Sequence, residues 1–235
     1  SYLLNNSAGS ISAWVNPSAV GDNDMVAVFG SGNAGEGVGI GIFGNVRIYH
    51  HTGTYDWQSS TPISATTWTH ITYTWDSTTE RIYKDGVFSE SRPRNFNYVP
   101  GAARIGHGWW GDPANYFPGL IDEVDIYDRT LDGPEIAAIY NAGAAGKCSS
   151  CSPTPSGIVG WWPANGNGYD TVNGNNGSLV NGVSFAPGAV GQAFSFNQVN
   201  QQYVDLPFGT TSQLLTNSAG SISAWVNQAP VAVSQ

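Results

Sequence analysis

Apolar residues alternate with small polar ones along much of the chain, the period of two expected of strands in a layered sheet. In Ser10-Ile-Ser-Ala-Trp-Val-Asn16, Ile11, Ala13 and Val15 point one way, and Ser10, Ser12, Trp14 and Asn16 the other. Val38, Ile40 and Ile42 repeat the pattern between glycines, and Val46 and Ile48 resume it after a Gly44-Asn45 turn. Thr69, Ile71, Tyr73 and Trp75 alternate with Trp68, His70, Thr72 and Thr74. Arg81-Ile-Tyr-Lys84 runs into Asp85-Gly86, a hairpin signal because glycine accepts positive φ. Leu120, Asp122, Val124 and Ile126 are expected to share one strand face. One short C-terminal helix is predicted. Asp132 caps it, Pro134 fits its first turn, Glu135 completes a capping box, and Gly143 ends it. Ile136, Ile139 and Tyr140 form its apolar stripe. Many short strands between Gly and Asn turns predict an all-β fold, a sandwich of two antiparallel sheets.

Composition narrows the functional classes. Only 11% of the 235 residues are charged, so solvent must be met mainly by Ser, Thr, Asn, Gln and Gly. Eight Lys+Arg against 17 Asp+Glu give a net charge of −9, which repels a phosphate backbone and excludes nucleic acid as a partner. No apolar run approaches the roughly 20 residues of a membrane helix, so no membrane insertion is expected. Nine Trp, 11 Tyr and 9 Phe supply ample core material and exclude intrinsic disorder. The chain opens Ser1-Tyr2-Leu3-Leu4 without Met or signal peptide, as expected of a processed chain or a piece of a longer one.

One long-range repeat organises the chain. Residues 3–16 (LLNNSAGSISAWVN) return as residues 214–227 (LLTNSAGSISAWVN), differing only at Asn5 and Thr216, with Trp14 and Trp225 set 211 positions apart. Near-identity over this length argues for a window on a tandem array. The expected organisation is therefore a domain's back portion at 1–143, a Cys/Ser/Pro linker at 144–156, and the next domain's front portion at 157–235. Cys148 and Cys151 lie in that linker, where a disulfide within or between chains fits secretion better than a redox helix does.

The motifs resemble the laminin-G-like branch of the concanavalin-A-like jelly rolls, in the form found in large secreted bacterial proteins. Ser10-Ile-Ser-Ala-Trp-Val15 resembles that family's first central strand, and Trp68-Thr-His70-Ile its Trp-x-His-Val segment. Tyr83-Lys-Asp85-Gly86 is similar to its Tyr-x-Asp-Gly hairpin. Gly119-Leu-Ile-Asp-Glu-Val124, with Glu135-Ile136 beyond it, is similar to its closing strand and helix. Gly157-Ile-Val-Gly-Trp-Trp-Pro163 and Gly188-Ala-Val-Gly-Gln-Ala-Phe194 match its opening. The resemblance implies a jelly roll, extracellular or at the cell surface, and specifies function weakly because the fold hosts sugar binders, adhesins and hydrolases. Where the family carries an acidic turn after Phe196, this chain reads Asn197-Gln-Val-Asn200, which removes those calcium ligands.

Several residues are candidates for chemistry. By resemblance Asp170, and secondarily Asp122, are the candidate calcium ligands; the competing role for Asp122 is to accept N–H hydrogen bonds in the core. Glu123 and Asp125 superficially match the paired carboxylates of a glycoside hydrolase, but the family motif already accounts for this stretch structurally. The histidines form no metal or nucleophile grouping, and His70 is expected beside Trp68. The loop bearing Trp109, Trp110, Asp112, Asn115 and Tyr116 is the most suggestive binding feature, with Tyr55 and Trp57 as a second cluster. Rings stack on sugars, and Asp and Asn bond hydroxyls; the same rings could instead cover a sheet edge. Asn5 and Asn176 open glycosylation sequons.

The leading expectation is a non-enzymatic extracellular structural or adhesive repeat protein. It would assemble into fibres with copies of itself or adjacent repeats by strand or half-domain complementation, the complementing strand carrying Ile11 and Trp14 or their duplicates Ile222 and Trp225. The alternative is a lectin-like module for polysaccharide, and a hydrolase is the distant third.

Overall fold

The computed structural model describes residues 8–20, 24–33, 35–50, 56–99, 101–109, 116–143, 158–188, 190–207 and 219–222. The first portion contributes β1 (Ala8–Pro17), β2 (Asp24–Gly30), β3 (Gly37–Phe43), β4 (Asn45–Tyr49), β5 (Trp57–Pro62) and β6 (Thr69–Trp75). It continues with β7 (Thr79–Lys84), β8 (Val87–Pro93), β9 (Ala102–Ile105), β10 (Gly119–Asp128) and α1 (Gly133–Ala142). The later portion adds β11 (Ile158–Trp162), β12 (Ser178–Val180), β13 (Ser184–Pro187), β14 (Gln192–Phe196), β15 (Tyr203–Asp205) and β16 (Ala219–Ile222).

Two sheets result, as the alternation predicts. A nine-stranded sheet runs β13-β14-β10-β16-β1-β6-β7-β8, with β11 also on β10, and a seven-stranded sheet runs β12-β15-β9-β2-β3-β4-β5. Both are antiparallel apart from the β1–β16 contact. Residues on either side of 144–157 share both sheets. Ile105 of β9 pairs with Val204 of β15, Ile121 of β10 with Phe194 of β14, and Val124 with Trp162 of β11. Each segment thus covers edges and apolar faces that the other would leave exposed.

The core lies between the sheets. Ile11, Val15, Tyr73, Trp75 and Ile126 from the larger sheet meet Val26, Phe29, Ile40, Ile48 and Ile105 from the smaller. Burying these side chains stabilises the fold by about 1.5–3 kcal/mol apiece. The Asp85-Gly86 hairpin forms with both residues at positive φ, 51° and 77°. At α1, Asp132 Oδ1 accepts the Glu135 N–H while Glu135 Oε2 accepts the Asp132 N–H, closing the capping box.

Helix α1 covers the outer side of the nine-stranded sheet. Ile136 and Ile139 pack with Tyr83, Tyr127 and Leu131, and Tyr140 stacks on Trp14 with ring centroids 5.0 Å apart. Both faces of β1 are therefore buried. The two serines of its polar face are hydrogen-bonded. Leu131 N–H donates to Ser10 Oγ, and Ser12 Oγ bonds His70 Nε2 at 2.7 Å and accepts from Thr72. His70 packs beside Trp14, at 4.9 Å, because it pairs with Trp14 across β1 and β6.

The structure corrects the reading of β10. Ser12 pairs with Asp125 but Trp14 with Asp122, so β10 carries one extra residue, and Glu123 at φ 52° marks the bulge. The bulge reverses the alternation. Ile121, Val124 and Ile126 enter the core together, and Asp122 does not share the face of Val124 and Ile126.

Candidate functional site

The outer face of the seven-stranded sheet has a distinctive construction. In β3, Val38, Ile40 and Ile42 enter the core, which leaves Gly37, Gly39 and Gly41 on the opposite face. The Trp109 indole lies on that strip. Its Nε1–H donates to the Gly30 carbonyl at 3.1 Å, and a Cβ on Gly39 would lie 3.3 Å from its Cζ3. A Cβ on Gly37 would collide with its Cζ2. Only glycine permits a flat ring to approach the backbone this closely. Met25, Val28 and Tyr49 complete the platform.

The strand register sets other side chains in rows across this face. Arg104 pairs with Val28, Val28 with Gly39, and Gly39 with Tyr49. One step along, Gly41 pairs with both Met25 and Arg47, and Arg47 with Gln58. The Arg47 guanidinium sits 4.8 Å over the Tyr49 ring and 3.6 Å from Asp56. Burial pushes the Asp56 carboxyl up, against the opposing pull of the His50 N–H and the neighbouring cations. At the β9 side, His107 stacks on Tyr116 at 4.0 Å, with Tyr203 5.1 Å from His107. Arg104 donates to the Gly108 carbonyl and lies 6.0 Å from the Tyr203 ring.

A cleft of about 470 Å³ opens at the other end, lined by Phe43, Asn45, Arg47, Gln58 and Ser60, with Val46 and Ser59 behind them. Its cause is local. Arg47 pairs with Gln58 but Asn45 with Pro62, so residues 59–61 oppose Val46 alone. Ser59 Oγ anchors this bulge on the Val46 carbonyl at 2.6 Å. Phe43 is 47% exposed at the rim. The sequence reading missed both the cleft and the glycine strip. The regular Gly37, Gly39, Gly41 spacing was the available signal, since it marks a strand face without side chains.

The predicted residues divide clearly. Trp109 and Tyr116 come to this face. Trp57 does not: it is 7% exposed, belongs to the core between the sheets, and carries Arg92 5.2 Å over its ring. Asn5, Tyr55, Trp110, Asp112, Asn115, Cys148, Cys151 and Trp225 lie outside the described residues. Asn176 is exposed and its Oδ1 accepts the Asp170 N–H.

The candidate calcium ligands are engaged by the protein itself. Asp170 accepts five N–H hydrogen bonds, from the backbone of Trp161, Val172, Asn173 and Asn175 and from Asn175 Nδ2. Asp122 Oδ2 accepts the Val190 N–H at 3.0 Å. Among the described residues, no group of three or more His, Cys, Asp or Glu is placed to hold a metal ion. The carboxylates of the hydrolase alternative, Glu123 and Asp125, are 1% and 0% exposed, out of reach of a glycosidic bond. Glu123 Oε2 accepts the Trp161 indole N–H at 2.9 Å.

The sheets are also bridged by charge. His50 presents Nδ1 to the Gly37 carbonyl and Nε2 to Glu80, while stacking on Phe96. Arg92 and the Asn95 N–H reach the same carboxylate. Burial alone would raise Glu80, but the His50 hydrogen bond and charge, with Arg92 and Asn95, outweigh it and hold its carboxyl below the ordinary value. This network fixes the end of β4 beneath the aromatic face.

The fold and this face define a jelly-roll module with an aromatic outer surface. The chain belongs to the concanavalin A-like lectin/glucanases superfamily, whose Laminin_G_3 model matches residues 1–137. A similar solved structure is that of a protein from Bacteroides ovatus assigned to carbohydrate binding, with 13% identity and a TM-score of 0.54. It aligns with 100% of this chain, which spans 57% of that one. Another is domain 4 of AbnA, an extracellular GH43 arabinanase from Geobacillus stearothermophilus, solved with arabinotriose. There the identity is 20% and the TM-score 0.44, over 58% of this chain and 68% of that one. No curated protein matches the chain. Among the described residues, no helix is long and apolar enough to cross a membrane.

Proposed function

We propose that this chain is a non-catalytic, lectin-like module of an extracellular protein, and that it takes polysaccharide on the outer face of its seven-stranded sheet. The observation that carries the reading is the Trp109 indole held flat on the glycine strip, in line with Tyr49, Arg47 and the Phe43–Gln58 cleft. A preorganised ring offers a sugar an apolar face without ordering cost, and the flanking Arg, Asn, Gln and Ser groups match hydroxyls. The net charge of −9 favours a neutral polysaccharide over an anionic one. The fold shared with the Bacteroides ovatus protein supports this reading.

Glycan-array screening followed by calorimetry tests it. Gln58→Ala should weaken binding several-fold without lowering the melting temperature appreciably, and Arg47→Ala should weaken it too while also lowering the melting temperature, since it leaves Asp56 without its cation. Unchanged affinity in both, or no glycan bound at all, would remove the proposal.

One observation favours a second reading, that of an assembling structural or adhesive repeat. The duplicated strand addresses the same β10 residues as β1 does. Calcium as a cofactor, and the 211-residue unit as one copy in an array, remain proposals of the sequence.

A further inference from the structure

Residues 3–16 and 214–227 differ only at Asn5 and Thr216, and the structure brings their backbones to one place. Ser10 and Ser221 both pair with Tyr127 of β10, and Ile11 and Ile222 both pair with Ile126. Ala8 lies beside Ala219 and Gly9 beside Gly220, each residue next to its own duplicate. We propose that residues 219–227 of a second copy of this chain take the place of β1 between β10 and β6. This rests on the assembly reading and names its partner and its strand.

The slot filled by β1 makes specific demands. It buries Ile11 and Val15 in the core, seats Trp14 against His70 and Tyr140, and bonds the hydroxyls of Ser10 and Ser12. The same side chains recur in order from Ser221 to Val226. A strand in that register therefore offers every group β1 offers, and main-chain pairing to β10 and β6 adds no sequence requirement. The place along β6 admits one strand, and each chain carries two segments that match it in sequence. With β1 seated along Gly9–Val15 on β6, the described residues of the other copy pair with β10 and the start of β1 and not with β6. The slots of matching shape are those of other molecules.

Exchange replaces like with like, so contact energy nearly cancels and concentration decides the outcome. A tethered strand competes at an effective concentration on the order of millimolar. Assembly therefore grows with protein concentration, or when the resident strand is weakened. Donor and acceptor are different surfaces, so repeated exchange produces closed dimers or rings where the rotation closes and open chains where it does not.

The experiment uses the full chain and its Trp14→Ala, Trp225→Ala and doubly substituted variants, followed by sedimentation velocity over a concentration series and by thermal melting. Trp14→Ala weakens the resident strand and should assemble at concentrations at least ten-fold below wild type, while Trp225→Ala stays monomeric there. Should the double variant fail to fold, a labelled peptide of residues 214–227 replaces it. Trp14→Ala should retain that peptide through gel filtration, and the same peptide with Trp225→Ala should not be retained. Assembly that persists in Trp225→Ala would overturn the strand assignment and leave the assembly reading standing. Monomers in every variant at every concentration would overturn both. Rescue of Trp14→Ala by Trp225 in a strictly monomeric chain would overturn the second copy as donor.

Discussion

Gly37 has no room for a methyl group because the six-membered ring of Trp109 and the Ser31 carbonyl occupy that space. The contact ties a backbone position inside the sheet to the residue on which the proposed glycan face depends. Gly37→Ala must push the indole away from β3. Overpacking of this kind costs about 1–3 kcal/mol. The expected outcome is a lower melting temperature, an altered near-ultraviolet tryptophan signal and weaker polysaccharide binding. Gly133→Ala, where a Cβ meets open space, is the control and should change none of these adversely.

Asp170 organises the segment between β11 and β12 by accepting five N–H groups, four of them backbone. Charge-assisted bonds of this type are the stronger ones, and buried donors left without acceptors are costly. Asp170→Ala should therefore lower stability by about 3 kcal/mol or more in chemical denaturation. Both Asp170 oxygens are already occupied by protein donors, so the loss should be the same with calcium and with a chelator. A wild-type melting temperature that rises with calcium and a variant whose temperature does not would restore Asp170 as a metal ligand.

The bridge between the sheets predicts an acid limb. Glu80 is held below its ordinary value of 4.5 in the fold, so its contribution is present above that value and is lost as pH falls through the lower, folded value. Asp76 behaves alike. Burial would raise it, but the N–H groups of Thr78 and Thr79, with Arg81, bring it from 3.8 to about 2. Its contribution is present above pH about 4 and disappears toward pH 2. Urea titrations between pH 2 and 7 should show stability falling across this range. Glu80→Gln should be less stable at pH 7, since it breaks a buried pair, and should show a shallower acid limb than wild type.

Local chemistry made part of this molecule legible in advance. The Asp85-Gly86 turn and the Asp132–Glu135 capping box depend on a few adjacent residues, and both form as read. The alternation of Val38, Ile40 and Ile42 placed β3 correctly. What escaped depends on partners distant in the chain. The bulge at Glu123 is set by the pairing of β10 with β1, and it moves Asp122 off the face that strict alternation assigned. Trp57 reads as a surface ring by its polar neighbours, yet β5 turns it between the sheets. Trp109 was legible as a candidate, but its support was not. The strip beneath it comes from β3, some 70 residues earlier, and the cleft beyond it from a bulge in β5.

The same bulge decides the remaining question of chemistry. Glu123 sits at φ 52°, buried, with its Oε2 on the Trp161 indole N–H. A general acid in a glycosidase must touch the glycosidic oxygen, and its amide variant loses turnover while keeping its fold. A buried acceptor behaves differently. Glu123→Gln still offers a carbonyl oxygen to Trp161 and should cost little stability, whereas Glu123→Ala leaves the indole N–H without its partner and should cost about 1–3 kcal/mol. Reducing-sugar release should stay at background for the wild type and both variants on neutral β-glucans and arabinans. Release by the wild type that Glu123→Gln abolishes at unchanged melting temperature would make this carboxylate catalytic and the module an enzyme.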